Sequence, residues 1–230
     1  MEISKKERFF ANYIKNQIKE ESYTFFDIGA NKGFYTDFLI EHFGSDHKVY
    51  LFEASDRFTG LLKDKFNSSE SLSVINKAVS DEVGTVSFFE LEDSNNDVEG
   101  MSSLNKREVF SQYKTNEKKV DCITFDNFID DNNISNVKFV KIDTEGFELN
   151  VLKGMKKSLE RGIVDYIQIE YGDCITEIGK DIFDIMEFIN DYDYKLFDED
   201  NGELIEVDNK RASILRNKPW DNFLIKKNGK

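Results

Sequence analysis

Asp27-Ile28-Gly29-Ala30-Asn31-Lys32-Gly33 follows the apolar run Tyr23-Thr24-Phe25-Phe26 and precedes a helical pattern that begins at Phe34. A strand, a small-residue turn and a helix N-terminus in that order form the place where α/β proteins hold a nucleotide-like ligand. Gly29 lets the chain leave the strand tightly, and Gly33 lets backbone approach a ligand with no side chain between. Asp27 is placed to accept a hydrogen bond or to face a cationic group. Glu53 ends the run Tyr50-Leu51-Phe52-Glu53, where a carboxylate can accept from both hydroxyls of a ribose. Asn76 and Ala78, after the next apolar run, fall where an adenine would lie. Asp143 and Glu145, in Lys141-Ile142-Asp143-Thr144-Glu145-Gly146, can take a proton from an acceptor hydroxyl. Glu170 closes Ile163–Glu170 as a further candidate for substrate contact. Duller roles stay open: the glycines shape a turn, and Glu145 or Glu148 sits favourably at a helix N-terminus.

The turn discriminates among cofactors. A dinucleotide fingerprint anchored on Gly29 needs glycine at 31 and 34, where this chain has Asn31 and Phe34. The Gly and Lys-Ser/Thr spacing of a P-loop is absent too. Asp-x-Gly-x-Asn-x-Gly remains, which suits a cofactor without a pyrophosphate. S-adenosylmethionine fits that description, being a sulfonium with an amino-acid tail and an adenosine. A divalent cation held by oxygen ligands is conceivable at Asp143, but no cluster spells one out, and His42 and His47 lack partners at zinc-ligand spacing.

Those residues need a frame. Ile3, Phe10, Tyr13, Ile14 and Ile18 give an amphipathic lead-in helix over 3–20. Strands are expected at 23–28, 47–53, 72–75, 82–89, 120–123, 137–143, 163–170, 194–197 and 222–225. Helices are expected after 34, after a cap at Asp56, and over 124–129, 147–161 and 181–190. Strands alternating with helices imply a mostly parallel sheet covered on both faces. Such sheets bind ligands at the carboxyl ends of their strands, and each acid named above lies at one of those ends. The polar stretch 92–117 reads as a substrate lid. No repeat or composition break divides the chain, so residues 1–230 read as one domain.

At 230 residues, with 39% hydrophobic residues and 21 Phe, the chain can bury a sizeable core. Its formal net charge of −14 disfavours phosphate backbones and anionic lipid, so the expected acceptor is small, with no nucleic-acid or membrane partner. Two cysteines, Cys122 and Cys174, make no disulfide framework, and no signal peptide or membrane span is evident. A cytoplasmic location is expected, while oligomeric state is not readable.

At these residues the chain resembles the FkbM family of class I methyltransferases. The similarity rests on Phe26–Gly33, Phe52-Glu53, Ala78-Val79-Ser80-Asp81, Ser102-Ser103-Leu104, Lys141–Leu149, Val151–Gly154 and Ile169-Glu170. The resemblance implies a Rossmann-like, seven-stranded sheet with S-adenosylmethionine at the glycine turn, and O-methylation of a hydroxyl, in this family often on a sugar or polyketide. Ala54 stands where relatives often show Pro, which alters loop stiffness and not ribose contact. The expectation is therefore an S-adenosylmethionine-dependent O-methyltransferase. Alternatives are a nicotinamide-dependent sugar-modifying enzyme, disfavoured by Asn31 and Phe34, and a non-catalytic relative that keeps the cofactor site.

Overall fold

The structure, a computed structural model, describes residues 3–19, 22–91, 102–104 and 115–229. Its main sheet contains β3 (Leu72–Ile75), β2 (Lys48–Phe52), β1 (Thr24–Ile28), β7 (Val137–Ile142), β8 (Val164–Gly172), β11 (Trp220–Lys227), β9 (Tyr194–Asp200) and β10 (Glu203–Glu206), hydrogen-bonded in that order. Pairing is parallel from β3 across to β8 and antiparallel on both sides of β11. Seven of the nine strands expected from the sequence lie in this sheet. An eighth, β10, folds back on β9 as a hairpin through Asn201 and Gly202, both at positive φ. A separate three-stranded sheet joins β4 (Ala78–Ser80), β6 (Thr115–Thr124) and β5 (Gly84–Leu91) in that order.

Alternation along each strand divides the core in two. Phe25 and Phe139 face α1 (Lys5–Lys15), α2 (Phe34–Phe43) and α3 (Asp56–Lys65), joining Phe10, Phe38 and Leu62. Phe26 and Val140 point the other way, onto α4 (Phe125–Asp131), α5 (Glu148–Lys153), α6 (Lys156–Arg161), α8 (Ile182–Asn190) and α9 (Asn209–Leu215). Burial on both faces explains why β7 and β8 read as continuous apolar runs. Two lysines interrupt β7 and each is paired. Lys138 Nζ lies 2.8 Å from Asp165, and Lys141 turns toward the site.

Some boundaries differ from expectation for local reasons. The lead-in helix spans only Lys5–Lys15, fixed at its start by a reciprocal capping box between Ser4 and Glu7. Ser55, not Asp56, caps α3. The single helix expected over 147–161 is broken into α5 and α6 at Gly154, where helix backbone meets strand backbone. A Cβ at Gly154 would fall 2.0 Å from the Ser80 carbonyl oxygen, and the Gly154 carbonyl accepts from Asp126 N at 3.0 Å. Short α7 (Asp173–Thr176), α9 and β10 carry too few periodic positions to stand out in the sequence. Of the stretch read as a lid, 115–117 belong to β6 and 102–104 lie beside the cavity described below; its other residues lie outside those described.

Gly154→Ala is expected to push α5 off β4 and to cost about 1–3 kcal/mol, as overpacking does. Urea unfolding monitored by circular dichroism measures it, and an unchanged midpoint would refute this account of the helix break.

Candidate active site

The carboxyl ends of β2, β1, β7 and β8 open into one cavity of about 630 Å³. Asp27, Gly29, Asn31, Glu53, Ala78 and Asp143 line it, as do Glu145 and Glu170. Residues far apart in the chain therefore meet because the sheet order puts their strand ends side by side.

The turn after β1 is held internally. Gly29 N and Ala30 N both donate to the Phe52 carbonyl, at 2.9 and 3.0 Å, and Gly33 N donates to Ala30 O at 2.8 Å. Asn31 takes φ +49 and its N–H donates to Glu53 Oε2 at 2.8 Å. With these amides engaged, the turn is no open nest for a phosphate. Gly29 is required by crowding: a Cβ there would sit 1.8 Å from the Asp143 carbonyl oxygen. Gly33 differs from expectation. It is absent from the cavity lining, and a Cβ on it would meet Leu62 and Phe66 on the α3 side, at 2.8 and 2.9 Å. Its bare Cα therefore packs α2 against α3.

The Glu53 carboxylate accepts from Ser55 N at 2.7 Å as well as from Asn31 N. Burial nevertheless pushes its pKa up to about 7, against the pull of those amides. Each oxygen keeps further lone-pair capacity for a hydroxyl donor. Asp27 is buried and accepts from Thr36 Oγ1 at 2.5 Å, and burial lifts its pKa to about 6. Asn76 is another correction. Its amide donates to Glu53 O, Ala54 O and Thr59 Oγ1 and stays outside the lining, so it ties the β2–α3 loop to β3. Ala78 does line the cavity, beside Val79 and Phe58.

Beyond β1 the site is organised by a buried cation. Lys141 Nζ lies 3.2 Å from Asp143 Oδ2, 3.9 Å from Glu7 Oε1 and 3.4 Å from Asn222 Oδ1. Burial works against its charge, but Asp143, Glu7 and Glu170 outweigh it and raise its pKa. Gln168 links the same groups, donating to Glu7 and Asn222 and accepting from Tyr35. Glu170 accepts from the Trp220 indole N–H. Burial first, then Asp143, holds its pKa well above the carboxylate range.

Glu148 lies outside the cavity lining. Fully buried, it accepts from Thr144 N, Thr144 Oγ1 and Gly146 N and so folds the loop that presents Asp143 and Glu145. Glu145 takes φ +56, and its carbonyl accepts from Ser103 Oγ at 2.6 Å. Ser103 is in turn bridged to Phe89 of β5, so the second sheet is tied to the site. Ligand atoms of Glu145, Glu170 and Cys174 come within 4.8 Å of one another, a grouping that no spacing in the sequence announces.

A family model described as the methyltransferase FkbM domain matches residues 27–196. The chain belongs to the FkbM methyltransferase family. Its cofactor is accordingly S-adenosylmethionine. An FkbM methyltransferase from Methylobacillus flagellatus superposes with a TM-score of 0.55 at 17% identity, over 93% of this chain and 46% of that one. This FkbM chain thus spans less than half of that relative. An rRNA methylase from Streptococcus thermophilus gives 0.51 at 12% identity, covering 99% of both chains. SMU.1697c of Streptococcus mutans, in complex with S-adenosylhomocysteine, gives 0.51 at 12%, over 98% of this chain and 99% of that one. At such identities these likenesses speak for the fold. No curated protein matches, and among the described residues no helix is long and apolar enough to cross a membrane.

The cavity suits the family's cofactor. S-adenosylmethionine brings no phosphate to the internally satisfied turn. It brings ribose hydroxyls and positive charge to a rim of carboxylates.

Lys141, Thr36, Gln168, Ser103 and Trp220 were given no role in the sequence, although Lys141 and Ser103 stand in blocks that carry the family resemblance. Lys141 left a physical signal as well, as a charge inside an apolar strand, which must be paired if buried.

Asp27 and Glu53 bind their protons more tightly folded than unfolded. Between about pH 4 and 7 the folded state therefore holds more protons, and their contribution to stability falls as pH rises through that window. Glu53→Gln should flatten this decline by on the order of 1–3 kcal/mol, read from urea midpoints at about pH 5 and about pH 8. An unaltered slope would refute the assignment.

Proposed function

We propose that this protein is an O-methyltransferase that passes the methyl group of S-adenosylmethionine to a hydroxyl of a small acceptor, a sugar or a similar polyhydroxylated compound. One observation carries the reading: acids at four adjacent strand ends converge on one cavity, Glu53 and Asp27 at one side, Asp143 and Glu170 at the other. In this reading Glu53 takes the ribose hydroxyls, Ala78 with Phe58 walls the adenine, and Asp27 and Asp143 face the cationic end. Gly29 and Asn31 serve by shaping the turn that aims Glu53. The bound cofactor supplies an electrophilic methyl group on a sulfonium.

The chain's own work is placement, water exclusion and proton transfer. Glu170 is suited to take the acceptor's proton, because it lines the cavity with Asp143 and Glu145 and is held there by the Trp220 indole N–H. Asp143 is fixed by Lys141 at the junction of the two halves. Glu145 adds a hydroxyl-binding carboxylate at the rim. The formal charge of −14 favours a small acceptor over nucleic acid.

Asp27→Asn and Glu53→Gln should each weaken S-adenosylhomocysteine binding about 10- to 100-fold by calorimetry, the scale of a lost charge-assisted hydrogen bond. Parental affinity in both would remove these residues from the cofactor site. A larger thermal shift with NAD than with S-adenosylhomocysteine would favour the nicotinamide alternative. With an acceptor in hand, Glu170→Gln should lower kcat roughly 10²- to 10⁴-fold while cofactor affinity holds. Undiminished kcat would transfer the proton-accepting role to Asp143 or Glu145.

A further inference from the structure

The cavity extends past the cofactor residues. Strands sit about 4.8 Å apart, so from β2 to β11, four strands on, it has width for a second molecule beside an adenosyl group. Its β8–β11 half is built differently from the rest. Four carboxylates line it, from Asp143, Glu145, Glu170 and Asp173, and its one lining cation among the described residues is Lys141, already engaged by Glu7 and Asp143. Lys32 and Lys77 line the opposite half.

At the rim stands Trp220, the chain's single tryptophan, 54% exposed although it opens a strand whose next residues are buried. Its placement is fixed. Trp220 pairs with Gly172 in the β11–β8 ladder, Asp173 N donates to Pro219 O at 3.0 Å, and the indole N–H donates to Glu170. The ring is therefore pinned next to a carboxylate with much of its surface open.

We propose that the β8–β11 half of this cavity is the acceptor subsite, in which Trp220 stacks against the apolar face of a pyranose that carries no negative charge. This rests on the methyltransferase reading above and narrows its acceptor class. The C–H face of a sugar ring carries slight positive charge and meets the negative face of an indole, while its equatorial hydroxyls donate sideways. The surrounding carboxylates are acceptors for those donors. A flat aromatic acceptor would stack as well but would bring few hydroxyl donors to the remaining lone pairs of these acids. A phosphorylated or uronic sugar would bring like charge into a half-cavity that has no spare cation among its described residues. Neutral and amino sugars are accommodated, the latter with an added ionic contact.

Because Trp220 is the only tryptophan, its emission reports on this rim alone. Protein saturated with S-adenosylhomocysteine, as verified by calorimetry, would be titrated with methyl glucoside, glucosamine or glucuronic acid. The first two should shift the emission saturably, and glucuronic acid should not. By calorimetry, Trp220→Ala should weaken methyl glucoside and glucosamine about tenfold, Trp220→Phe should restore most of the affinity, and both should bind S-adenosylhomocysteine like the parent. Glucuronic acid binding as tightly as the others, no response to any sugar in cofactor-loaded protein, or an unweakened Trp220→Ala would overturn the subsite while leaving the methyltransferase reading intact. Failure of S-adenosylhomocysteine to bind at all would overturn both.

Discussion

Lys141 is a cation buried at the site end of the central strand β7, and the active-site end of the molecule is arranged around neutralising it. A buried ammonium is tolerated only with charged and hydrogen-bonding partners, and removing one partner of a buried pair costs about 3–5 kcal/mol. Here the partners come from four places in the fold: Asp143 from the end of β7, Glu7 from α1, Asn222 from β11 and Glu170 from β8. Each is drawn to the same point. The cation thus fixes how the lead-in helix and the last strand sit against the central parallel strands. It also lets an excess of carboxylates face one cavity without repelling the strand ends apart.

That excess is only partly compensated. Asp27 sits opposite Lys141 in the β1–β7 ladder and feels its charge, yet burial first, with smaller pushes from neighbouring acids, lifts the pKa values of Asp27 and Glu53 to about 6 and about 7. Both carboxyls therefore sit at the edge of ionisation near neutral pH. A ligand with a positive centre and hydroxyl donors favours their charged forms. Carboxyls perturbed in this way are usual at functional sites.

The sequence disclosed the acids better than their supports. Glu53, Asp143 and Glu170 were legible because a parallel sheet collects its strand ends, and alternation of strands and helices is a strong pattern. Asp27 was legible by adjacency to the turn. Gly33 and Asn76 were less legible, since a glycine before a helix and an amide after a strand look the same whether they face a ligand or a neighbouring helix. Only the position of α3, with Leu62 and Phe66 beneath Gly33, decides it. Glu148 was ambiguous for a similar reason: its side chain curls back onto Thr144 and Gly146, a local bond that no periodicity encodes. Trp220 lies 50 residues from Glu170, and their meeting depends on β11 entering the sheet antiparallel, which strand propensity alone does not specify.

Lys6 and Glu7 are consecutive, yet they serve opposite ends of one arrangement. Lys6 bridges Asp198 and Asp221 at the sheet, while Glu7 reaches Lys141 at the cavity floor. Both lie upstream of the segment 27–196 that defines the family, and Asn222 and Trp220 lie downstream of it. A protein trimmed to the homologous region would keep every glycine of the turn and still leave an ammonium stranded without two of its counterparts. The segment that identifies the enzyme is thus shorter than the segment that makes it electrically complete.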